Sequence, residues 1–204
     1  MTPMPNGEAT MAKAPHANKE GGAPGLTNFR VDDRIFIDES KARGYYVIAT
    51  ATAFGSIHAT NKLLRELLKP GQNRLHFKSE SDSRRRLILS TMSTLDVRVS
   101  VWGVRGLPDK VARPRCLEAL VEEAATAGAS QLIIERDASL ERADRQLIAG
   151  VLRRTDVAGM RYEHCAPHEQ PLLWVSDAVA WCYSNGGDWV RRVEAIVEGR
   201  VARL

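Results

Sequence analysis

The sequence predicts an α/β fold: a mixed sheet flanked by helices over residues 29–204, preceded by a tail over residues 1–28. Three observations predict it. Two strand-like segments, 34–38 and 45–54, come before any helical pattern. Helical and strand-like patterns then alternate as far as residue 165, which places helices on the faces of a sheet. The chain closes on two helical segments, 170–183 and 188–198. A length of 204 residues, 44% hydrophobic and 26% charged, is that of one globular domain with a real core. Aromatics make up only 6%, so that core has to be mainly aliphatic.

Residues 1–28 are rich in Gly, Ala, Pro, Asn and Thr and lack an apolar period, hence the tail. Residues 34–38, Arg-Ile-Phe-Ile-Asp, form a short apolar run ending in a carboxylate. Gly44 suits a hairpin turn into 45–54, which is rich in Val, Ile, Thr and aromatics. Over 61–69, Leu63, Leu64, Leu67 and Leu68 share one helical face, and Pro70-Gly71 stops the pattern. Leu75-His76-Phe77 reads as a short strand, and 83–95 as a helix with Leu87, Ile88, Met92 and Leu95 inward. Val97, Val99 and Val101 alternate with Arg98, Ser100 and Trp102, the period of a strand.

Pro114 is expected in the first turn of the next helix, whose stripe is Leu117, Leu120, Val121 and Ala124 and whose stop is Gly128. Gln131–Glu135 is a strand of the buried type, again ending in a carboxylate. Ser139 is expected to cap a helix carrying Leu140, Leu147, Ile148, Val151 and Leu152. Residues 160–165 read as an edge strand, and Asn185-Gly186-Gly187 divides the two final helices.

Several function classes fall away. No run approaches the ~18 apolar residues of a membrane span, and the N-terminus lacks the apolar core of a secretory signal, so a cytoplasmic location without membrane contact is expected. Cys116, Cys165 and Cys182 are far apart with no C-x-x-C pair, which argues against a disulfide framework or a structural zinc site. No phosphate loop, nucleophile elbow or dinucleotide fingerprint is present. A net charge of +4 permits a nucleic-acid partner without demanding one. Of the basic residues 22 are Arg and 7 Lys, either a reflection of base composition or a supply of the better phosphate ligand.

Three acids stand out by their setting. Asp38 and Glu135 each end an apolar strand, where ligands of open α/β sheets collect. The alternative is that each simply marks a strand leaving the core. Asp177 sits near the middle of a helix that is apolar almost all round, so it needs a cation, a metal or a hydrogen-bond partner, a structural arginine being the plainest. Together the three suit phosphodiester chemistry, which needs hard oxygen ligands for Mg²⁺ or Mn²⁺ ions held ~4 Å apart. His76 titrates near neutral pH and is either a proton shuttle or a packed residue. Lys78 and Arg84-Arg85-Arg86 face either phosphate or water. His164, Cys165 and His168 form a loose set that an edge strand and its loop explain without a metal.

In order and spacing these motifs resemble an uncharacterised bacterial group, domain-of-unknown-function family 3800, which is regarded as ribonuclease H-like. The similar segments are Ile35-Phe36-Ile37-Asp38-Glu39-Ser40, Leu75-His76-Phe77, Ile134-Glu135-Arg136, and Leu173 through Asp177 to Ala180. The resemblance implies a ribonuclease H-like sheet and Mg²⁺ or Mn²⁺ on Asp38, Glu135 and Asp177. It also implies Glu39, His76 and Asp137 as nearby helpers; Lys78 and Arg136 are the candidate nucleic-acid contacts. The chain departs from the pattern in Trp174-Val175-Ser176 before the helix acid and in having no helix glutamate at the fourth carboxylate position. The expected function is therefore a metal-dependent nuclease or phosphodiesterase acting on DNA or RNA. The alternative is a non-catalytic ribonuclease H-like module that binds or regulates a partner. Substrate strandedness and oligomeric state are left open.

Overall fold

Two apolar runs joined by a tight turn open the fold, β1 (Arg34–Ser40) and β2 (Tyr45–Thr52), paired antiparallel with Asp38 opposite Ile48. In the turn, Arg43 and Gly44 take φ of 57° and 123°, the second a region that suits glycine, as expected of the hairpin. A computed structural model describes residues 29–198 and 201–204; the expected tail, residues 1–28, lies outside them. After β2 come α1 (Ile57–Glu66), α2 (Asp82–Met92), β3 (Arg98–Val104), α3 (Asp109–Thr126), β4 (Gln131–Glu135) and α4 (Glu141–Arg154). The chain ends through β5 (Arg161–Cys165), α5 (Leu173–Asn185), α6 (Asp188–Val193) and β6 (Ala202–Arg203).

The six strands lie in the order β5-β4-β1-β2-β3-β6. β1 is parallel to β4 and β4 to β5, while β2 is antiparallel to both β1 and β3. The sheet is thus mixed, with helices on both faces, as the sequence predicts. Neither β1 nor β4 is at an edge, which agrees with their continuous apolar runs.

Strand alternation sorts the side chains into two cores. Phe36, Ile48, Val99, Val101 and Ile133 pack with α1, α2 and α5. Ile35, Ile37, Val47, Leu132 and Ile134 pack with α3 and α4. Gly128, at φ 78°, closes α3, and the Ala129 N–H bonds back to Ala124 O.

Some local expectations are corrected. Leu75-His76-Phe77 is no strand: Phe77–Ser79 is a single 3-10 turn, because Leu75 and Phe77 both turn into the α5-side core. The helix expected over 61–69 begins four residues earlier, at Ile57, and ends at Glu66. Pro114 is the sixth residue of α3, and the carbonyl it leaves free belongs to exposed Lys110. Ser139 caps nothing, because Asp137 accepts its N–H and hydroxyl and so forms the turn into α4. The last helix is shorter than expected, and residue 197 instead bridges to Val99, ahead of the unexpected strand β6.

Candidate functional site

Ile37 pairs with Ile134, so the next residues, Asp38 and Glu135, stand side by side at the carboxyl ends of two parallel strands. Phe36 and Asp38 point to the α5 face, whereas Ile35, Ile37 and Glu39 point to the α3–α4 face. α5 lies across β1 and β2. Its buried Ser176 hydroxyl bonds Phe36 O at 2.8 Å and meets Thr50 Oγ1 at 2.7 Å. That anchor sets the next residue, Asp177, over the strand ends. Asp38, Glu135 and Asp177 line one cleft of about 220 Å³ with Arg74, His76 and Trp174.

None of the three acids forms an ion pair with Lys or Arg among the described residues. Asp177, 22% exposed, accepts the Phe77 N–H at 2.9 Å and lies 3.7 Å from His76 Nδ1. The structural arginine that would explain its burial is absent among the described residues. Burial, with Glu135 and Asp177 as like-charged neighbours, holds the Asp38 carboxyl well above its ordinary range. Burial and Asp177 raise Glu135 in the same way. The Asp177 carboxylate raises His76 above the ordinary imidazole range.

As a donor set, three carboxylates suit a hard divalent cation. Their side chains do not form a closed cage: among the described residues, no three His, Cys, Asp or Glu groups stand close enough to hold one ion. The hydrogen bonds give the reason. Asp38 Oδ1 accepts the Glu39 N–H at 2.7 Å and Asp177 Oδ2 that of Phe77, so two mutually repelling carboxylates rest on backbone donors.

The other expected residues are placed differently. Glu39 Oε2 accepts from Arg113 Nε at 2.7 Å on the far face of the sheet, although Glu39 also lies on the rim of the cleft. His76 lines the cleft half exposed, and Lys78 is exposed but not part of its lining. Arg136 is engaged by His164 O at 3.0 Å and by Glu141 at 3.7 Å. Asp137 is taken up by its turn with Ser139. Arg84 and Arg85 bond the Leu67, Phe77 and Lys78 carbonyls, which makes them chiefly structural. His164 bonds buried Asp144 at 3.0 Å, and Asp144 pairs with Arg113, which explains His164 without a metal. Arg74 lines the cleft and was not singled out in the sequence; its position one residue before Leu75 in the His76 loop is the one signal that points to it.

No protein-family model matches the sequence, and no curated protein matches it. Solved structures do. The PCNA–RNase HII complex of Archaeoglobus fulgidus matches with a TM-score of 0.50 and 17% identity, over 79% of this chain and 76% of that one. Ribonuclease H2 of Pyrococcus horikoshii OT3 matches with a TM-score of 0.48 and 14% identity, over 79% and 74%. A single-residue mutant of Bst-RNase HIII matches with 0.46 and 16%, over 81% of this chain and 57% of that one. At such identities the likeness to the Archaeoglobus structure is one of fold, and the fold of this chain is ribonuclease H-like.

Proposed function

We propose that the chain is a nuclease or phosphodiesterase acting on DNA or RNA, with Asp38, Glu135 and Asp177 as ligands of Mg²⁺ or Mn²⁺. One observation carries the reading: three carboxylates from two strand ends and a helix meet in one cleft without a basic ion-pair partner among the described residues. The ribonuclease H-like fold supports it. The metal would supply Lewis acidity to the phosphodiester. His76, with its imidazole held toward the protonated form by Asp177, is placed to give a proton to the departing oxygen. Arg74, exposed beside the acids, would meet phosphate oxygens, as would exposed Lys78 two residues beyond His76, and Trp174 closes the inner wall of the cleft.

The test is cleavage of end-labelled single- and double-stranded DNA and RNA with Mg²⁺, Mn²⁺ or EDTA. Wild type should cut at least one substrate with a divalent ion. Asp38→Asn and Asp177→Asn should each lose on the order of 100-fold or more, and His76→Ala about 100-fold. The absence of a three-donor cluster among the described residues favours a second reading, a non-catalytic nucleic-acid-binding module. Binding without cleavage under every metal condition would select that reading.

A further inference from the structure

A second and larger cleft, of about 470 Å³, opens at the same end of the sheet, walled by Tyr46, Tyr183, Arg105, Arg203, Val190 and Val201. Tyr46 stands opposite Ser40, two residues along β1 from Asp38 and one strand across, which puts the clefts on the order of 10 Å apart. The two are opposite in character. The first is lined by four acidic residues, whereas no acidic side chain lines the second.

The second cleft is built rather than incidental. Tyr46 pairs with Gly103 on β3, and a Cβ at Gly103 would lie 3.0 Å from the Tyr46 ring. Glycine there lets the ring approach the strand closely. The Tyr183 ring stands over it, with centroids 5.9 Å apart and planes at 52°. Arg105 Nη2 donates to Tyr46 Oη at 3.1 Å, which steadies its guanidinium at the mouth. Arg105 and Arg203 are exposed and form no ion pair among the described residues, so both charges are available to an anion.

We propose that this cleft binds a nucleotide, the base against Tyr183 and the valines over the buried Tyr46 and the phosphate on Arg105 and Arg203. Aromatic faces take any base by stacking, and guanidinium forks take phosphate oxygens two at a time. The nucleotide is either free or part of a strand that continues from the acid cleft. Binding here does not need the acids to be catalytic.

Calorimetric titration of the full chain in EDTA, at one fixed low salt concentration, tests this with two probes, AMP and 5′-phosphorylated hexathymidylate. The expected result is binding of at least one probe, weakened about tenfold or more by Arg105→Gln with Arg203→Gln and several-fold by Tyr183→Leu. A charge-matched control, Arg115→Gln with Arg153→Gln on the opposite face, should stay within about twofold. AMP binding identifies a free-nucleotide site; binding of hexathymidylate alone identifies a subsite for a strand. Because the titration is run in EDTA, binding at this cleft stands or falls independently of whether the acids hold a metal. The proposal is overturned if neither probe binds, if the Arg105 and Arg203 pair binds as wild type does, or if the control pair loses as much.

Discussion

Asp177 is where the chemistry of one residue can be weighed directly. It is a half-buried carboxylate with two like-charged neighbours, a backbone N–H and a nearby imidazole. Because folding raises the pKa of Asp38 and Glu135, the folded state binds more protons than the unfolded chain across that interval. Stability therefore falls as pH rises from the unfolded carboxylate range through the folded values. His76 acts in the same direction. Its contribution, present below the ordinary imidazole pKa, is lost as pH climbs through its raised folded value. Asp177→Asn removes the neighbour common to all three shifts while keeping an oxygen for the Phe77 N–H. The metal-free variant should be at least as stable as wild type, by up to on the order of 1 kcal/mol, and its stability should depend less on pH above about 5. Mn²⁺ should raise the wild-type melting temperature and leave the variant's unchanged. A variant strongly destabilised without metal, beside a wild type indifferent to Mn²⁺, would refute Asp177 as a ligand.

Among elements, the seating of α5 on β1 and β2 decides whether the acids meet. Ser176 makes that seat with a hydroxyl shared between Phe36 O and Thr50 Oγ1, in a spot where both side chains are fully buried. Ser176→Ala leaves the Thr50 hydroxyl without its partner and should cost about 1–3 kcal/mol in urea unfolding, with the slope unchanged. Adding Thr50→Val should recover most of the loss, since removing both partners at similar shape is nearly neutral. A Ser176→Ala midpoint equal to wild type would show that apolar packing alone holds the helix. This anchor also marks the limit of what the sequence discloses. Asp38 and Glu135 are legible because each ends a short run of buried aliphatics, and Asp177 because it interrupts an apolar helix. Their approach is not legible, since Ser176 and Phe36 are 140 positions apart and only the tertiary fold brings them together. The same holds for Glu39. Its neighbour Asp38 suggests a shared role, but strand alternation turns it to Arg113, 74 positions away. Leu75-His76-Phe77 misleads for the related reason that apolar, polar, apolar describes a strand and a core-facing turn equally well.

Across the whole molecule, the sheet divides the interior into two cores and exposes both clefts at one end, where β1 and β4 finish and β2 begins. The same two layers that floor the clefts run along the strands to their other end. Phe29, the first described residue, is 9% exposed and stacks on Trp102 of β3 with centroids 5.9 Å apart. Four residues on, buried Asp33 pairs with Arg98 and accepts the Arg30 N–H at 2.7 Å, which fixes the chain as it enters β1. The α3–α4 core thus includes residue 29, and its boundary with the preceding segment can be tested from both sides. The composition of residues 1–28 predicts too little apolar surface to offset the entropy of ordering. Removing them should leave the melting temperature within about 2 °C, less than 1 kcal/mol for a chain of this length. Phe29→Ala in the full chain removes a ring from a packed layer and should cost about 3 kcal/mol, roughly 6–10 °C. The contrast between the two is the measurement. A deletion that lowers the melting temperature as much as Phe29→Ala does would mean that the first 28 residues pack on the domain, and the boundary would have to move toward the N-terminus.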